Sequence, residues 1–393
     1  MIRRKPAITG RASRSKSRSP DTTTKSRQQT RYLRSPFVIV YWRERHLVFE
    51  NFLTRCQITA QPLTTSLLDF FDQWKSVADL YAAMPQYAPS SLARAVTQLV
   101  RHSLLQRADQ PLPAGHAALA AWSKWNPSAG FFHLSTRNLR FADDDEEEFR
   151  SLVRLARSKP IPLPIKRYRN AKQIPLPNPS FDSEFARVLL RRRTWRKFSA
   201  QAVPLESLGN LLGLTFGVRH WIKLPKIGSV AVKTSPSGGS MHPIEAYVLA
   251  RNVEGLAAGF YHYSAADHRL ELLKSGATPR DITRLLAHQW WYSSAGFVVF
   301  LTAVFARTRW KYDYARAYRA VLIEAGHLCQ TFCLTATSLG LAPFCTMAFA
   351  DSRIENILGI DGISESALYV AGAGMPPEKG GKLANILNMG VVD

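Results

Sequence analysis

The chain has 393 residues, of which 46% are hydrophobic, and a formal net charge of +23 at pH 7. This length favours two folded domains with tails, and the hydrophobic content is ordinary for a globular protein. No apolar run is long enough to span a bilayer, and the first apolar run comes too late for a signal peptide. The four cysteines show no disulfide framework, so we predict a cytoplasmic protein without a membrane partner.

Much of the positive charge lies at the N-terminus. Eleven Lys or Arg residues and a single acid, Asp21, precede Pro36, so this segment carries ten of the net positive charges. It has too few apolar residues to fold, and we predict a disordered basic tail over residues 1–35. Such a tail can contact nucleic acid, an acidic peptide or an acidic partner, or act as a solubilising extension. Because the charge is concentrated there, it argues against nucleic acid as the target of the folded part.

The next segment has the pattern of a small mixed domain. Residues 37–42 and 47–52 are rich in β-branched and aromatic side chains, which predicts a pair of strands. Apolar residues at three- and four-residue steps then predict helices over 64–73 and 76–84, with a third helix opening at Pro89. Two strands followed by short helices predict a winged-helix-like module over residues 36–125.

A connector is expected between this module and the rest of the chain. Residues 117–125 are apolar and predict one more helix, in which Trp122 and Trp125 are expected to fill core. The acidic run 143–148 lacks the alternation and glycine of a calcium loop, which indicates a solvated charge run. Six prolines between positions 160 and 179 then indicate a stiff, extended chain. We predict an acidic and proline-rich linker over residues 126–180.

The remaining residues, 181–393, alternate between helical and strand patterns. Helices are predicted over residues 185–190, 204–212 and 319–339, and strands over residues 246–252, 259–264, 270–273, 296–305 and 367–373. The strand 296–305 is apolar except for Thr302, which is typical of burial on both faces. The predicted fold class is α+β, a mixed and mostly antiparallel sheet wrapped by helices.

Two polar motifs in this domain suggest a bound anion. Arg192, Thr194 and Arg196 alternate along the chain, so in an extended segment they point the same way and suit a phosphate dianion. Ser235, Ser237, Gly238 and Gly239 belong to a serine- and glycine-rich loop before a predicted strand, where backbone N–H groups could face a flat, anionic cofactor. The alternative interpretations are a basic helix terminus and an ordinary surface loop.

The order of the motifs resembles a known family. The arginine cluster, the Ser-Gly loop, Gly-Phe-Tyr-His-Tyr at residues 259–263, Trp-Lys-Tyr at residues 310–312 and the long apolar helix follow one another as in the nitroreductase-like flavoproteins. Within that family the chain resembles the SagB-type dehydrogenases, the azoline oxidases of thiazole- and oxazole-modified peptide biosynthesis. The resemblance covers residues 182–376 and implies a nitroreductase-like FMN fold.

The resemblance also implies the cofactor and its contacts. FMN is expected, with its phosphate at Arg192, Thr194 and Arg196, where the family has Arg-Arg-Ser-x-Arg and this chain has threonine for serine. The Ser-Gly loop is expected to lie along the flavin. Cys345 and Thr346 match a later segment whose backbone approaches flavin N5, although they replace smaller residues common there.

Lys311 and Tyr312 match a Lys-Tyr pair that supports azoline oxidation in the SagB-type enzymes. Turning an azoline into an azole removes one proton and one hydride, so a base must accept the proton while flavin N5 accepts the hydride. A partly dehydrated lysine near the flavin could act as that base, and the tyrosine hydroxyl could relay the proton or orient the ring. The alternative is two surface residues at the start of a helix.

The resemblance implies partners and leaves rivals open. A precursor peptide substrate, a homodimer, a cyclodehydratase complex and oxygen as final electron acceptor are expected, with the N-terminal module holding the peptide leader or serving as a dimerisation or covering domain. The alternatives are an NAD(P)H-dependent nitroreductase or quinone reductase, and a non-enzymatic basic protein that binds peptide or nucleic acid.

Cys329 and Cys333, one helical turn apart, are expected to be core thiols, and no metal is predicted.

Overall fold

The computed structural model describes residues 30–139, 141, 145–160, 162, 164–166 and 170–377. Most of the predicted basic tail lies outside these residues, but its last part does not. Arg31–Arg34 form a strand, and the Tyr32 ring packs edge-on against Phe71 with 5.9 Å between the ring centroids. The prediction of disorder up to Ser35 is therefore wrong for this strand, because an aromatic residue ties it to the core.

The N-terminal unit consists of short strands and helices around one apolar core. Its elements are β1 (Arg31–Arg34), β2 (Val38–Arg43), β3 (His46–Asn51), β4 (Cys56–Thr59), α1 (Leu63–Phe70), β5 (Lys75–Ser76), α2 (Val77–Ala83), α3 (Pro89–Arg101) and β6 (Leu105–Arg107). One antiparallel sheet has the order β2-β3-β4 and the other β5-β1-β6. Ser76 and Asp79 form a reciprocal cap that starts α2. The strands and helices expected from the sequence lie close to their expected bounds.

The interval predicted as a linker is partly folded. It follows α4 (His116–Ala120) and contains α5 (Ser128–Ser135) and α6 (Asp145–Ser158). His133 on α5 is 2% exposed, and its two ring nitrogens lie 2.9 Å from the Tyr318 hydroxyl and the Gly362 carbonyl oxygen. The linker prediction is therefore wrong for α5, which packs on the C-terminal domain.

The segment before α5 is also part of the core. The helix expected over residues 117–125 ends at Ala120, and turns follow it. Trp122 and Trp125 are buried as predicted, in one apolar cluster with Phe305 and Tyr318 of the C-terminal domain. The N-terminal unit and the C-terminal domain thus share a hydrophobic core through this segment.

The C-terminal domain is an antiparallel sheet covered by helices on both faces. Its elements are α7 (Glu184–Arg191), α8 (Leu205–Phe216), β7 (His220–Leu224), β8 (Gly228–Val232), β9 (Ile244–Ala250), β10 (Gly259–Ser264), β11 (Arg269–Ser275), α9 (Pro279–Leu285), β12 (Phe297–Val304), α10 (Phe305–Lys311), α11 (Ala317–Ser338), β13 (Ala342–Thr346), α12 (Asp351–Leu358) and β14 (Glu365–Gly374). The six-stranded sheet has the order β11-β10-β9-β12-β14-β13, and its neighbours pair antiparallel. The predicted α+β class is confirmed.

The two faces of the sheet bury different side chains of β12. Phe297, Val299 and Leu301 join the core beneath α8 and α11, whereas Val298 and Phe300 join the core beneath α9 and α12. This is the burial on both faces that the almost continuous apolar run predicts. The sheet therefore holds α11 rigidly on one face, and α11 borders the candidate site.

One exposed feature was not expected from the sequence. Strands β7 and β8 form a two-stranded sheet apart from the main one, and all five residues of β7 are exposed. An exposed strand shows little of the alternation that reveals a half-buried one. Within the described ranges, no helix combines the length and the apolar character needed to cross a bilayer.

Candidate functional site

The predicted phosphate-binding residues lie on an extended segment. Helix α7 ends at Arg191, and Arg192 has φ −58° and ψ 124°, so the chain leaves the helix there. The Trp195 N–H donates to the Pro343 carbonyl oxygen at 2.9 Å, which pins the segment beside β13. Arg192, Thr194 and Arg196 are half-buried along it. In the part of the chain that the structure describes, no carboxylate pairs with either guanidinium, so both are free for an anion.

The Ser-Gly loop is anchored on α11. Ser237 Oγ donates to Glu324 Oε2 at 2.6 Å and accepts from the His242 N–H at 2.9 Å. Ser235 Oγ is buried and lies 2.8 Å from Thr331 Oγ1. The sequence suggested Ser235 and Ser237 as cofactor-binding residues of this loop, and the structure engages both hydroxyls with the protein. What the loop offers a cofactor is therefore its backbone.

Gly239 makes a close approach to the Lys-Tyr pair. Its φ is +65°, and a Cβ placed there would lie 2.4 Å from the Tyr312 hydroxyl oxygen and 2.7 Å from Lys311 Nζ. Only glycine fits this position without displacing those groups. The structure thus brings together the two predicted catalytic residues and the predicted flavin loop, which are about 70 residues apart in sequence.

Lys311 and Tyr312 reach the loop from the end of α10. Lys311 Nζ donates to the Gly239 carbonyl oxygen at 3.3 Å, a long hydrogen bond. Tyr312 follows the helix in an extended conformation and is half-buried, whereas Lys311 is exposed. The described residues of one chain therefore do not shield the Lys311 amine from water, as the expected partial dehydration requires. A bound cofactor and substrate would have to supply it.

Glu324 is a site residue that the motif analysis did not select. It lies on α11, is 4% exposed and accepts the Ser237 hydroxyl hydrogen bond. Burial is the largest cause that raises the pKa of its carboxyl from 4.5 to about 6, and the Ser237 hydrogen bond opposes that shift. A carboxylate within a helix that is apolar nearly all round was the signal that could have found it. Its role here is to hold the loop against α11.

The Glu324 pKa predicts a pH dependence of stability. Folding raises the pKa of the Glu324 carboxyl. The stability that this group contributes is therefore fully present below pH 4.5 and is lost as the pH rises through about 6. We expect Glu324→Gln to gain about 2 kcal/mol over the native chain between pH 4.5 and pH 7.5. Urea unfolding of both proteins at the two pH values measures this. A stability difference that does not change with pH would contradict the shift.

Cys345 and Thr346 also turn their side chains toward protein. Thr346 Oγ1 lies 3.1 Å from Gln289 Oε1 and accepts the Ala348 N–H at 3.0 Å. Cys345 on β13 faces Cys329 and Cys333 on α11, and the three sulfur atoms lie within 4.8 Å of one another. Three sulfurs are one ligand fewer than structural zinc sites use, and the described cysteines are free thiols. Only the backbone of this segment is therefore left to approach a cofactor.

The two histidines near the predicted site are held by other residues. His262 lies between Glu271 and Glu245, with ring nitrogen to carboxylate distances of 2.9 and 3.1 Å, and the Glu245 hydrogen bond raises its pKa. His242 Nε2 lies 3.0 Å from the Ala231 carbonyl oxygen, and burial lowers its pKa. Both have the contacts of structural residues.

The candidate site lies around α11. Comparison with known proteins identifies the family of the chain. The sequence profile of the nitroreductase family matches residues 189–375. A protein of Methanocaldococcus jannaschii that is named as a nitroreductase, MJ1384, is 31% identical over 173 residues, or 44% of this chain and 83% of that protein. The chain belongs to the nitroreductase family. Its members are flavin-dependent oxidoreductases, which confirms the predicted fold class and the predicted cofactor, FMN.

Two further similarities involve proteins of toxin and microcin systems. The trifolitoxin-processing protein TfxB of Rhizobium leguminosarum bv. trifolii is 33% identical over 170 residues, or 42% of this chain. The chain spans 46% of the length of TfxB. The solved Escherichia coli microcin synthetase McbBCD complex with truncated pro-MccB17 contains a chain that is 23% identical. That match has a TM-score of 0.49 and covers 69% of this chain and 100% of the other.

The site residues of this nitroreductase-family chain fit FMN in three respects. Arg192 and Arg196 offer unpaired, half-buried guanidiniums for a phosphate. The Cβ-free Gly239 leaves backbone open beside Lys311 and Tyr312. The side chains of Cys345 and Thr346 turn away, so that segment can present its backbone.

Proposed function

We propose that this chain is an FMN-dependent dehydrogenase that oxidises thiazoline or oxazoline rings of a ribosomally made precursor peptide to thiazoles or oxazoles. The observation that carries the proposal is the contact of Lys311 and Tyr312 with Gly239 of the flavin loop. The similarity to TfxB supports a maturation substrate, because that relative is named for processing trifolitoxin. SagB-type identity is part of this proposal.

The chemistry assigns a role to each residue. Two C–H bonds on adjacent ring carbons break and one C=C bond forms, so a proton and a hydride leave the azoline. Lys311 Nζ accepts the proton, and the Tyr312 hydroxyl orients the ring or relays that proton. Arg192, Thr194 and Arg196 hold the cofactor phosphate. Bound FMN supplies the hydride acceptor, and molecular oxygen is the proposed final electron acceptor.

Assembly is part of the proposal. Helix α11 exposes two large aliphatic side chains, Leu322 at 37% and Ile323 at 57%. Exposed apolar side chains on a long central helix support a homodimer built on this helix. We further propose that the dimer works beside a cyclodehydratase, because the azoline rings that it oxidises must first be formed by dehydration of a peptide.

The N-terminal module of residues 36–125 is proposed to hold the leader of the precursor peptide. Strand β2 is an edge strand of its sheet, and it exposes Val40 at 45% and Trp42 at 66%. An unpaired edge with exposed apolar side chains suits a peptide that adds as another strand. The dimerisation and covering roles remain the alternatives for this module.

This leader proposal predicts the effect of removing one aromatic ring. We expect Trp42→Ala to weaken binding of a fluorescein-labelled precursor peptide about tenfold, measured by fluorescence anisotropy. Trp74 is 41% exposed in the same module but lies outside the strands, so Trp74→Ala is the matched control. Equal affinities for the two variants would remove β2 as the binding edge.

The dehydrogenase proposal is tested by three measurements on the purified protein. We expect the visible spectrum of bound FMN, a loss of two hydrogens from an azoline peptide by mass spectrometry, and slow anaerobic bleaching of the flavin by NADPH. MJ1384 favours the rival function, an NAD(P)H-dependent nitroreductase or quinone reductase, because it is named as a nitroreductase. Fast anaerobic bleaching by NADPH without azoline oxidation would favour that rival. A colourless protein that binds no FMN would favour a non-enzymatic role.

A further inference from the structure

A short stretch before α5 makes three polar contacts around the Lys-Tyr pair. The Arg309 guanidinium donates to the Ala121 carbonyl oxygen. Lys124 Nζ lies 2.7 Å from Asp313 Oδ2. The Trp125 indole N–H donates to the Tyr312 carbonyl oxygen at 2.9 Å. These contacts fall on both sides of Lys311, and the stretch lies outside the region matched by the nitroreductase profile.

The Trp125 indole N–H supplies a hydrogen bond to the Tyr312 carbonyl oxygen, which lies at a helix end. Tyr312 caps the C-terminus of α10, and its N–H closes the last turn onto the Thr308 carbonyl oxygen. The carbonyl groups at a helix end have no partner within the helix and need a donor from elsewhere. Trp125 is 1% exposed, so its indole N–H reaches Tyr312 from the core. The chain around Lys311 is therefore held by a buried, fixed donor.

We propose that Trp125 is a positioning residue for Lys311 and Tyr312, and that residues 121–125 complete the candidate site from outside the nitroreductase-like region. The inference rests on the proposed function for its effect on catalysis. Trp125 acts by fixing the Tyr312 carbonyl, which sets where the Lys311 amine and the Tyr312 ring lie against Gly239. The first part of the chain thereby contributes to the site itself as well as to substrate binding.

Trp122 provides a matched control. It lies in the same aromatic cluster, with 5.5 Å between its ring centroid and that of Trp125, and it is fully buried. Its indole nitrogen has no hydrogen-bond partner among the described residues. Trp122→Phe and Trp125→Phe thus remove the same atoms from the same core, but only Trp125→Phe removes a hydrogen bond to the Lys-Tyr segment.

The test uses the full-length protein with bound FMN. We expect Trp125→Phe to raise backbone hydrogen exchange over residues 309–314 about tenfold and to change the rate at which acetic anhydride labels Lys311, both read by mass spectrometry. We expect Trp122→Phe to leave both readouts near those of the native chain. With an azoline peptide, Trp125→Phe should lower kcat about tenfold at unchanged KM and FMN content.

The outcomes separate this inference from the proposed function. Equal exchange and labelling in the two variants would overturn the positioning role, whatever the reaction is. If Trp125→Phe alters exchange and labelling while Lys311→Ala keeps full activity, the positioning role stands and the proposed base falls. Lys124→Ala is a second variant for the case in which Trp125→Phe does not fold, since Lys124 is exposed. It should raise exchange at residues 309–314 about twofold, and no rise in that variant would also count against the inference.

Discussion

Replacement of Lys311 by alanine is expected to lower kcat for azoline oxidation by about 10²–10⁴-fold, the range for loss of a general base. Bound FMN should remain, because Lys311 reaches the loop only through a long hydrogen bond to the Gly239 carbonyl oxygen. Stability should change little, since the side chain is exposed. Flavin absorbance reports cofactor content, and mass spectrometry of the peptide reports oxidation.

Lys311→Arg separates a base from a positive charge. Arginine keeps the charge but stays protonated at neutral pH, so it cannot accept the substrate proton. We expect Lys311→Arg to be nearly as inactive as Lys311→Ala. Activity retained in the arginine variant would show that charge alone is needed at this position, and full activity in the alanine variant would remove Lys311 from the reaction.

Substitution of Gly239 by alanine is expected to disrupt the site more than its size suggests. The φ of +65° costs an alanine roughly 1–2 kcal/mol. The added Cβ would also meet the Tyr312 hydroxyl at 2.4 Å and Lys311 Nζ at 2.7 Å, so both groups must move. We expect kcat to fall at least about tenfold, because catalysis is sensitive to displacements of about 1 Å.

Gly255→Ala is the control that separates the steric clash at Gly239 from the cost of the positive φ angle. Its φ is +67°, and a Cβ there would meet nothing within 4 Å. Gly255→Ala should therefore lose a similar amount of stability in urea unfolding but keep native kcat. If Gly239→Ala and Gly255→Ala retain the same activity, the close approach of Gly239 to the Lys-Tyr pair has no functional role.

The fold was predictable where burial leaves a periodic pattern. The almost continuous apolar run of β12 and the nearly all-round apolar character of α11 indicated both elements, and the observed bounds are Phe297–Val304 and Ala317–Ser338. The hairpin β7–β8 was missed because its side chains are mostly exposed and carry no such pattern. The linker prediction failed at α5 because its contacts with Tyr318 and Gly362 are tertiary.

The site was predictable in its motifs and less so in its contacts. The family resemblance selected Lys311 and the Ser-Gly loop, although nothing in the local sequence relates two segments so far apart. The roles of the serine hydroxyls depend on which side of α11 faces the loop, and that is fixed by packing on the sheet. Trp125 was expected only to fill core, because its acceptor, the Tyr312 carbonyl, lies 187 residues further along the chain.

The most direct test is a single anaerobic turnover of the FMN-loaded protein with an azoline precursor peptide. Since oxygen is absent, the account predicts that the flavin absorbance bleaches as the peptide loses two hydrogens, in equal molar amounts. Lys311→Ala should hold the same flavin and fail to bleach. A native protein that retains yellow, oxidised FMN in the presence of excess azoline peptide would contradict the account.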